Sequence, residues 1–351
     1  MRSMKVFVGM SGGVDSSVTA ALCKQQGHEV TGVYMKNWTQ DIAGVECAWR
    51  DDLADAKSVA AILDIDFLVF DFEKEYRHRV VDYMVSEYRA GRTPNPDIMC
   101  NQEVKFRLFL DTAIEHGADK IATGHYAQAV NCRLLAGKDD SKDQSYFLYR
   151  VRAEALEKTL FPLGGYMKSE VRDMAGEFGL PTASKPDSQG ICFIGEVSIK
   201  EFLQDYIDTR PGPIVHAKTG EQLGEHDGAE LYTIGQRQGL GIGGGLPLYV
   251  CDKDVANNTV YVTDNLGELM IKEFSITDLH WINHAPEADE EYQVRLRHQG
   301  GLSPVSVSRL DEDTAHLSLT EPERAITPGQ SAVLYRQADD GLEVVGGGIV
   351  C

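Results

Sequence analysis

From residue 5 to about residue 123, short apolar runs alternate with stretches whose apolar positions recur at helical spacing. That alternation is the signature of a doubly wound α/β domain with a parallel sheet. It predicts strands over 5–9, 29–35, 66–70 and 120–123, and helices over 16–26, 51–63, 76–89 and 103–116, with Gly27 stopping the first helix. Ligands of such sheets bind beyond the C-terminal ends of the strands, so the loops after residues 9 and 123 carry the most interest. Gly124-His125-Tyr126 follows the fourth strand. From about residue 207 the texture changes. Pro211-Gly212-Pro213, the glycine-rich stretch 239–245 and β-prone runs such as 259–263 replace the helical patterns. The chain therefore divides into an α/β part over 1–206, a small β-rich part over 207–272 and a β part over 273–351.

Composition narrows the class. A chain of 351 residues with 42% hydrophobic and 25% charged residues is a globular protein of two or three domains. No apolar run reaches the roughly 20 residues of a membrane span, and the start carries no secretory pattern, which predicts a cytosolic protein without a membrane partner. Seven widely spaced cysteines, an odd number with no C-x-x-C pair, argue against a metal knuckle and a disulfide framework. The net charge of −20, spread over all three parts, speaks against a broadly basic nucleic-acid surface. Local basic clusters remain at Arg89 to Arg92, Lys105 to Arg107 and Arg295 to His298, each of which alone reads as solvated surface charge.

Chemistry enters with Ser11-Gly12-Gly13-Val14-Asp15-Ser16-Ser17, between the first strand and the first helix. Adjacent glycines let the backbone come close to a ligand, and the helix start turns several N–H groups and its positive end to one point, which suits a phosphate. Asp15 would repel that phosphate unless it works through Mg²⁺ or shapes the loop. The lysine of the γ-phosphate-transferring loop is missing. The motif resembles the signature of the PP-loop ATP pyrophosphatases, which split ATP between its α and β phosphates to adenylate a carbonyl oxygen.

Two cysteines stand in turn-rich segments. Cys100 closes Gly91-Arg-Thr-Pro-Asn-Pro-Asp-Ile-Met-Cys-Asn101, where two prolines hold the chain extended and Asn101 is a candidate N-cap. A cysteine beside a helix N-terminus is expected to have a lowered pKa, with Asp97 beside it as proton acceptor or donor. The alternative is a helix cap with a buried, inert thiol. Cys192 lies in Lys185-Pro-Asp-Ser-Gln-Gly-Ile-Cys-Phe-Ile-Gly195. If the two loops meet, one thiol can carry a persulfide and the other attack it.

Both segments resemble those of the tRNA-specific 2-thiouridylases, and the likeness continues through Met35 to Trp38, Ala122 to Tyr126, Lys142 to Tyr149, Gly235 to Gly241 and Thr327 to Ala332 in the family's order. The resemblance implies a PP-loop catalytic domain, a small central domain and a C-terminal β-barrel that helps to hold tRNA. It implies that Gly9, Met10, Ser11, Gly12, Gly13, Val14, Asp15, Ser16, Met35 and Gly124 bind ATP with Mg²⁺. Cys192 would bear the persulfide, Cys100 would be the second thiol, and Asn95, Pro96 and Asp97 would meet the target base. His125, Lys142, Asp143, Gln144, Arg297, His298 and Gln330 would touch tRNA, although the sequence reads Arg297-His298 where the family pattern has Arg-Tyr. The implied partners are the lysine, glutamate and glutamine tRNAs and a persulfide donor, either a cysteine desulfurase or a sulfur-relay carrier. A small-molecule PP-loop ligase would need neither cysteine, a cluster-dependent thiolase would need closer cysteines, and an RNA-binding module would need no nucleotide loop.

Overall fold

The computed structural model describes residues 3–41, 45, 47–187, 198–243, 245–287 and 290–351, leaving aside the side chains of 309 and 310. Strands β1 (Lys5–Gly9), β2 (Glu29–Lys36), β3 (Asp66–Asp71) and β4 (Lys120–Ala122) form one parallel sheet. After the antiparallel hairpin β5 (Ala127–Val130) and β6 (Arg133–Ala136), a two-residue strand β7 (Thr159–Leu160) completes that sheet in the order β3-β2-β1-β4-β7. The central strand β1 is buried on both faces over Val6, Phe7 and Val8, which is why it reads as an unbroken apolar run. Helix Val14–Gln25 lies between the sheet and helix Lys168–Glu177, and buried residues line most of its surface. The helix predicted over 76–89 starts earlier and includes a π-helical stretch, Arg77–Val81, between Glu73–Tyr76 and Asp82–Arg89.

A second sheet contains β8 (Gly212–His216), β9 (Gln222–His226), β10 (Tyr249–Asp254) and β11 (Thr259–Thr263), in the order β10-β11-β8-β9, around its own small core of Ile214, Tyr232, Val250, Val260 and Val262. The third contains β12 (Met270–Trp281), β13 (Tyr292–Arg295), β14 (Ser303–Leu310), β15 (Thr314–Arg324), β16 (Ser331–Ala338) and β17 (Gly341–Val350). These run in the order β12-β15-β14-β13-β16-β17, and pairing of β17 back to β12 closes them into a six-stranded antiparallel barrel. Closure removes the exposed edges that an open sheet of this size would carry.

The α/β part and the barrel share backbone as well as side chains. Hairpin β5–β6 turns through Asn131 and Cys132, both at positive φ (51° and 62°), and β6 pairs Leu134 and Leu135 with Val344 and Glu343 of β17. One hydrophobic core runs from Phe7 and Phe109 through Tyr146 and Tyr149 to Val333, Tyr335 and Val344. Buried Tyr146 donates to the Ser331 carbonyl at 2.9 Å, and the buried carboxylate of Glu343 is paired with Arg336 and Arg133. Such burial of polar groups is stable because each has a partner.

Candidate nucleotide and thiol site

The glycine loop sits at the C-terminal end of β1, with Gly13 as the N-cap of helix Val14–Gln25 and no side chain capping it. Its first N–H groups thus point to the space in front of the loop. Gly12 has φ +76°, and a Cβ there would lie 2.4 Å from the Asp52 carbonyl oxygen. Gly124, after β4, packs so closely on the helix start that a Cβ would lie 2.9 Å from the Ser16 nitrogen. Ser16 Oγ accepts from the Ser11 N–H at 3.2 Å and donates to the Gly13 carbonyl at 3.1 Å. The Met35 methyl reaches within 3.0 Å of where a Gly9 side chain would begin, and Met10 and Val14 are buried beneath the loop. Gly9 to Ser16, Met35 and Gly124 are therefore brought together.

Asp15 does not stand as a bare charge in this loop. Lys168 Nζ donates to both its carboxylate oxygens, at 2.7 and 2.8 Å, and the Tyr126 hydroxyl donates at 2.8 Å. Burial and the neighbouring Asp15 push the Tyr126 hydroxyl far up, so it remains a donor. Lys168 also meets Asp187 at 3.0 Å, and Asp187 receives Lys142 at 2.8 Å and Arg172 at 2.6 Å. Burial alone would raise the Asp187 carboxyl, but the bonds from Lys142 and Lys168 outweigh it and hold it at about 2. Sequence reasoning missed Lys168. It is the first residue of its helix, 153 positions from Asp15, and only the packing of that helix on Val14–Gln25 brings the two together.

Around Cys100 the expectations need correction. The cap is Asn95, not Asn101: Asn95 Oδ1 accepts from the Asp97 and Ile98 N–H groups, and Pro96 occupies the first helical position, where its missing N–H costs nothing. Cys100 is thus inside a helix that continues over Cys100–Phe109, and at 1% exposure its thiol is pushed up by burial rather than lowered. A helix N-terminus acts only within its first turn, and Cys100 lies beyond it. Asn101 instead donates from Nδ2 to the Phe147 carbonyl at 3.1 Å. Phe109, at the other end of this helical stretch, touches the Gly9 position, so the helix packs on the end of β1. Cys192 lies outside the described residues.

The residues assigned to tRNA differ in character. Gln330 Nε2 donates to the Thr93 carbonyl at 2.7 Å, and the Thr93 N–H donates to the Pro328 carbonyl at 2.9 Å. Thr93 Oγ1 also meets Thr233 Oγ1 of the central part at 3.2 Å, so all three parts converge on the segment before Asn95. His298 stacks on Phe147 with ring centroids 4.4 Å apart. Burial pushes its imidazole down, while the charges of Asp143 and Asp97 act the other way, and its Nδ1 is buried without a hydrogen-bond partner. Arg297 is exposed on the rim of a cleft of about 280 Å³ between central part and barrel, with Thr233, Arg324 and Gln330. His125 is 7% exposed, bonds Thr123 Oγ1 through Nδ1 at 2.8 Å and is held neutral by burial and by Lys105, so it offers no cation to a phosphate. Asp143 is 3% exposed and accepts from the Gly137 and Ser145 N–H groups, the Ser145 hydroxyl and Arg295. It joins the α/β part to the barrel. Gln144 accepts the Tyr126 N–H at 3.1 Å.

Of the basic clusters, Arg92 is paired with Glu87, Arg107 with Glu103 and Arg295 with Asp143. Among the described residues no group of three or more metal-ligating side chains occurs, and no helix is long and apolar enough to cross a membrane.

Three family models match in succession: the tRNA methyl transferase HUP domain over residues 4–196, the tRNA methyl transferase PRC-barrel domain over 200–264 and the aminomethyltransferase beta-barrel domain over 271–350. A protein of Nitrosomonas eutropha named tRNA-specific 2-thiouridylase MnmA is 47% identical over 362 aligned positions, covering 100% of this chain and 99% of that protein. One of the same name from Neisseria meningitidis is 48% identical, covering 98% of this chain and 95% of its own. That of Chromobacterium violaceum is also 48% identical and covers 99% and 92%. With its order of parallel sheet, small central sheet and closed barrel, and with likeness of this extent from end to end, the chain belongs to the tRNA-specific 2-thiouridylase family.

Proposed function

We propose that the protein uses ATP to replace the C2 oxygen of the wobble uridine, position 34, of the lysine, glutamate and glutamine tRNAs with sulfur, giving 2-thiouridine, AMP and pyrophosphate. The observation that carries this reading is the position of the 93–100 segment. It bears Asp97 and Cys100, is held by the central part and the barrel through Thr93, and leads into a helix packed on the end of β1 beside the nucleotide loop. A substrate reaching it meets all three parts, as a macromolecule would.

In this reading Gly9 to Ser16, Met35 and Gly124 hold ATP, with the N–H groups of the helix start on its phosphates. Asp15 is the carboxylate that would hold a Mg²⁺ brought with those phosphates, and that ion would offset their charge. Lys168 and Tyr126 keep Asp15 from repelling the nucleotide. Uridine O2 attacks the α-phosphorus, pyrophosphate leaves, and C2 acquires AMP as a leaving group. Asn95 and Pro96 frame the base, and Asp97 exchanges protons with it. A persulfide on Cys192, loaded by a cysteine desulfurase or relay carrier in the cytoplasm, delivers its outer sulfur to C2. Cys100 takes the inner sulfur, either as AMP is displaced directly or in releasing hydrosulfide, and an external thiol reductant then returns the Cys100 to Cys192 disulfide to two thiols, itself being oxidised to a disulfide.

Nucleoside mass spectrometry tests this after incubation of the protein with ATP, Mg²⁺, a persulfide donor and unmodified tRNAs. Wild-type protein is expected to form 2-thiouridine at position 34, and Cys192→Ser and Cys100→Ser to form none. Equal product from all three removes the thiol assignment. A methylated uridine instead would move the reading to the methyl transfer named by the family models.

A further inference from the structure

The helix bearing Asp97 changes its hydrogen-bonding pattern at Cys100. Four α-helical residues, Pro96–Met99, pass into a ten-residue π-helical run, Cys100–Phe109. In an α-helix residues i and i+5 point about 140° apart. In a π-helix the backbone hydrogen bond itself joins i to i+5, so those two residues stand one turn above another. The register therefore puts Lys105 on the face of Cys100. An uninterrupted α-helix would have turned it away.

We propose that Lys105 is a positioning residue for the second thiol, its ammonium favouring the Cys100 thiolate, against the burial that opposes it, for attack on a persulfide. This rests on the reading of Cys100 as that thiol. The surroundings of the sulfur support the assignment. Cys100 is 1% exposed, and burial is the largest influence raising its thiol, with Asp97 adding to it. Lys105 is the largest influence in the other direction, followed by the neighbouring Tyr76 hydroxyl. His125 lies within the field of the same ammonium and is kept neutral by burial and by Lys105, so it brings no second cation. A thiolate taken out of water needs a fixed counter-charge, and a half-buried ammonium one helical turn away supplies it.

In the step itself the Cys100 sulfur forms a bond to the inner persulfide sulfur as the bond between inner and outer sulfur breaks. The thiol proton leaves to solvent as the thiolate forms, and the outer sulfur departs as hydrosulfide with the persulfide's own proton. Lys105 keeps its own proton throughout.

The experiment is a pH titration of thiolate ultraviolet absorbance in the full-length protein, with the same protein carrying Cys100→Ser as blank, for wild type, Lys105→Met, Lys105→Gln and Lys105→Arg. Circular dichroism confirms folding of each. Lys105→Met and Lys105→Gln are expected to raise the Cys100 midpoint by about one pH unit or more, which corresponds to about tenfold less thiolate at neutral pH. Single-turnover thiolation should fall by a similar factor with the KM for ATP unchanged, and recover as the pH rises. Lys105→Arg should titrate near wild type. Folded Met or Gln variants with the wild-type midpoint overturn the proposal. Full tRNA thiolation by Cys100→Ser would remove the role of Cys100 in sulfur transfer while leaving the titration result to stand or fall by itself.

Discussion

The side-chain amide of Gln330 donates to the main-chain carbonyl of Thr93 at 2.7 Å, so a barrel residue holds the segment that leads to Asp97 and Cys100. The Pro328 carbonyl accepts the Thr93 N–H from the same barrel loop. Removing the Gln330 amide takes away its bond to the Thr93 carbonyl, worth about 1 kcal/mol, and a longer one to the Pro94 carbonyl, and leaves the Thr93 N–H on Pro328. Gln330→Ala is therefore expected to stay folded and bind ATP normally, while its KM for tRNA rises several-fold. Steady-state thiolation kinetics beside ATP titration calorimetry checks this, and an unchanged KM would show that the clamp is dispensable.

In the proposed function Lys168, bonded to both carboxylate oxygens of Asp15, carries the charge that makes Asp15 compatible with a phosphate site. Without it a carboxylate would face the nucleotide, with Tyr126 as its remaining donor. Lys168→Met should weaken ATP binding by roughly tenfold or more, equivalent to about 1.4 kcal/mol. The pair should be non-additive: Asp15→Asn together with Lys168→Met should lose less than the two single losses combined. Calorimetric titration of the three variants measures the coupling.

The carboxylate of Asp187 is held at about 2 against an ordinary value of 3.8, through Lys142 and Lys168. A group whose folded pKa is depressed contributes stability that is full above its unfolded pKa and is lost as the pH falls through the folded one. The contribution should therefore be nearly constant above about pH 4, fall steadily below it and be gone only below about pH 2. Urea unfolding of wild type and Asp187→Asn across this range should give curves that differ at neutral pH and converge in acid. Curves parallel throughout would contradict it.

Asp143 stands in a block that the family likeness gives to tRNA, yet it is buried and bonded to Arg295 across the junction with the barrel. Truncating one member of a buried ion pair costs about 3–5 kcal/mol because the other is left uncompensated. Asp143→Ala should lose stability of that order in urea without any tRNA present. Lys142→Ala, two-fifths exposed at its side chain, should cost little and act on tRNA affinity instead. Equal stability of both variants would restore Asp143 to the RNA-facing group.

Local rules carried a good part of this molecule. The strand over 5–9, the helix after the glycines and the strand before Gly124 are set by alternation of apolar runs, by glycine at the turns and by helix spacing, all of which act between neighbours in the chain. The glycine loop was legible for the same reason, since the groups it offers to a ligand are its own backbone N–H groups. The state of Cys100 was not. Its α- or π-helical register, its burial and the approach of Tyr76 and Lys105 depend on how the helix packs, and burial outweighs any rule read from the residues beside it. Lys168 beside Asp15, Gln330 on Thr93 and hairpin β5–β6 added to the barrel join positions more than 150 residues apart. Such pairs leave no periodic trace, because contact energies act through space whereas sequence patterns record only what is close along the chain.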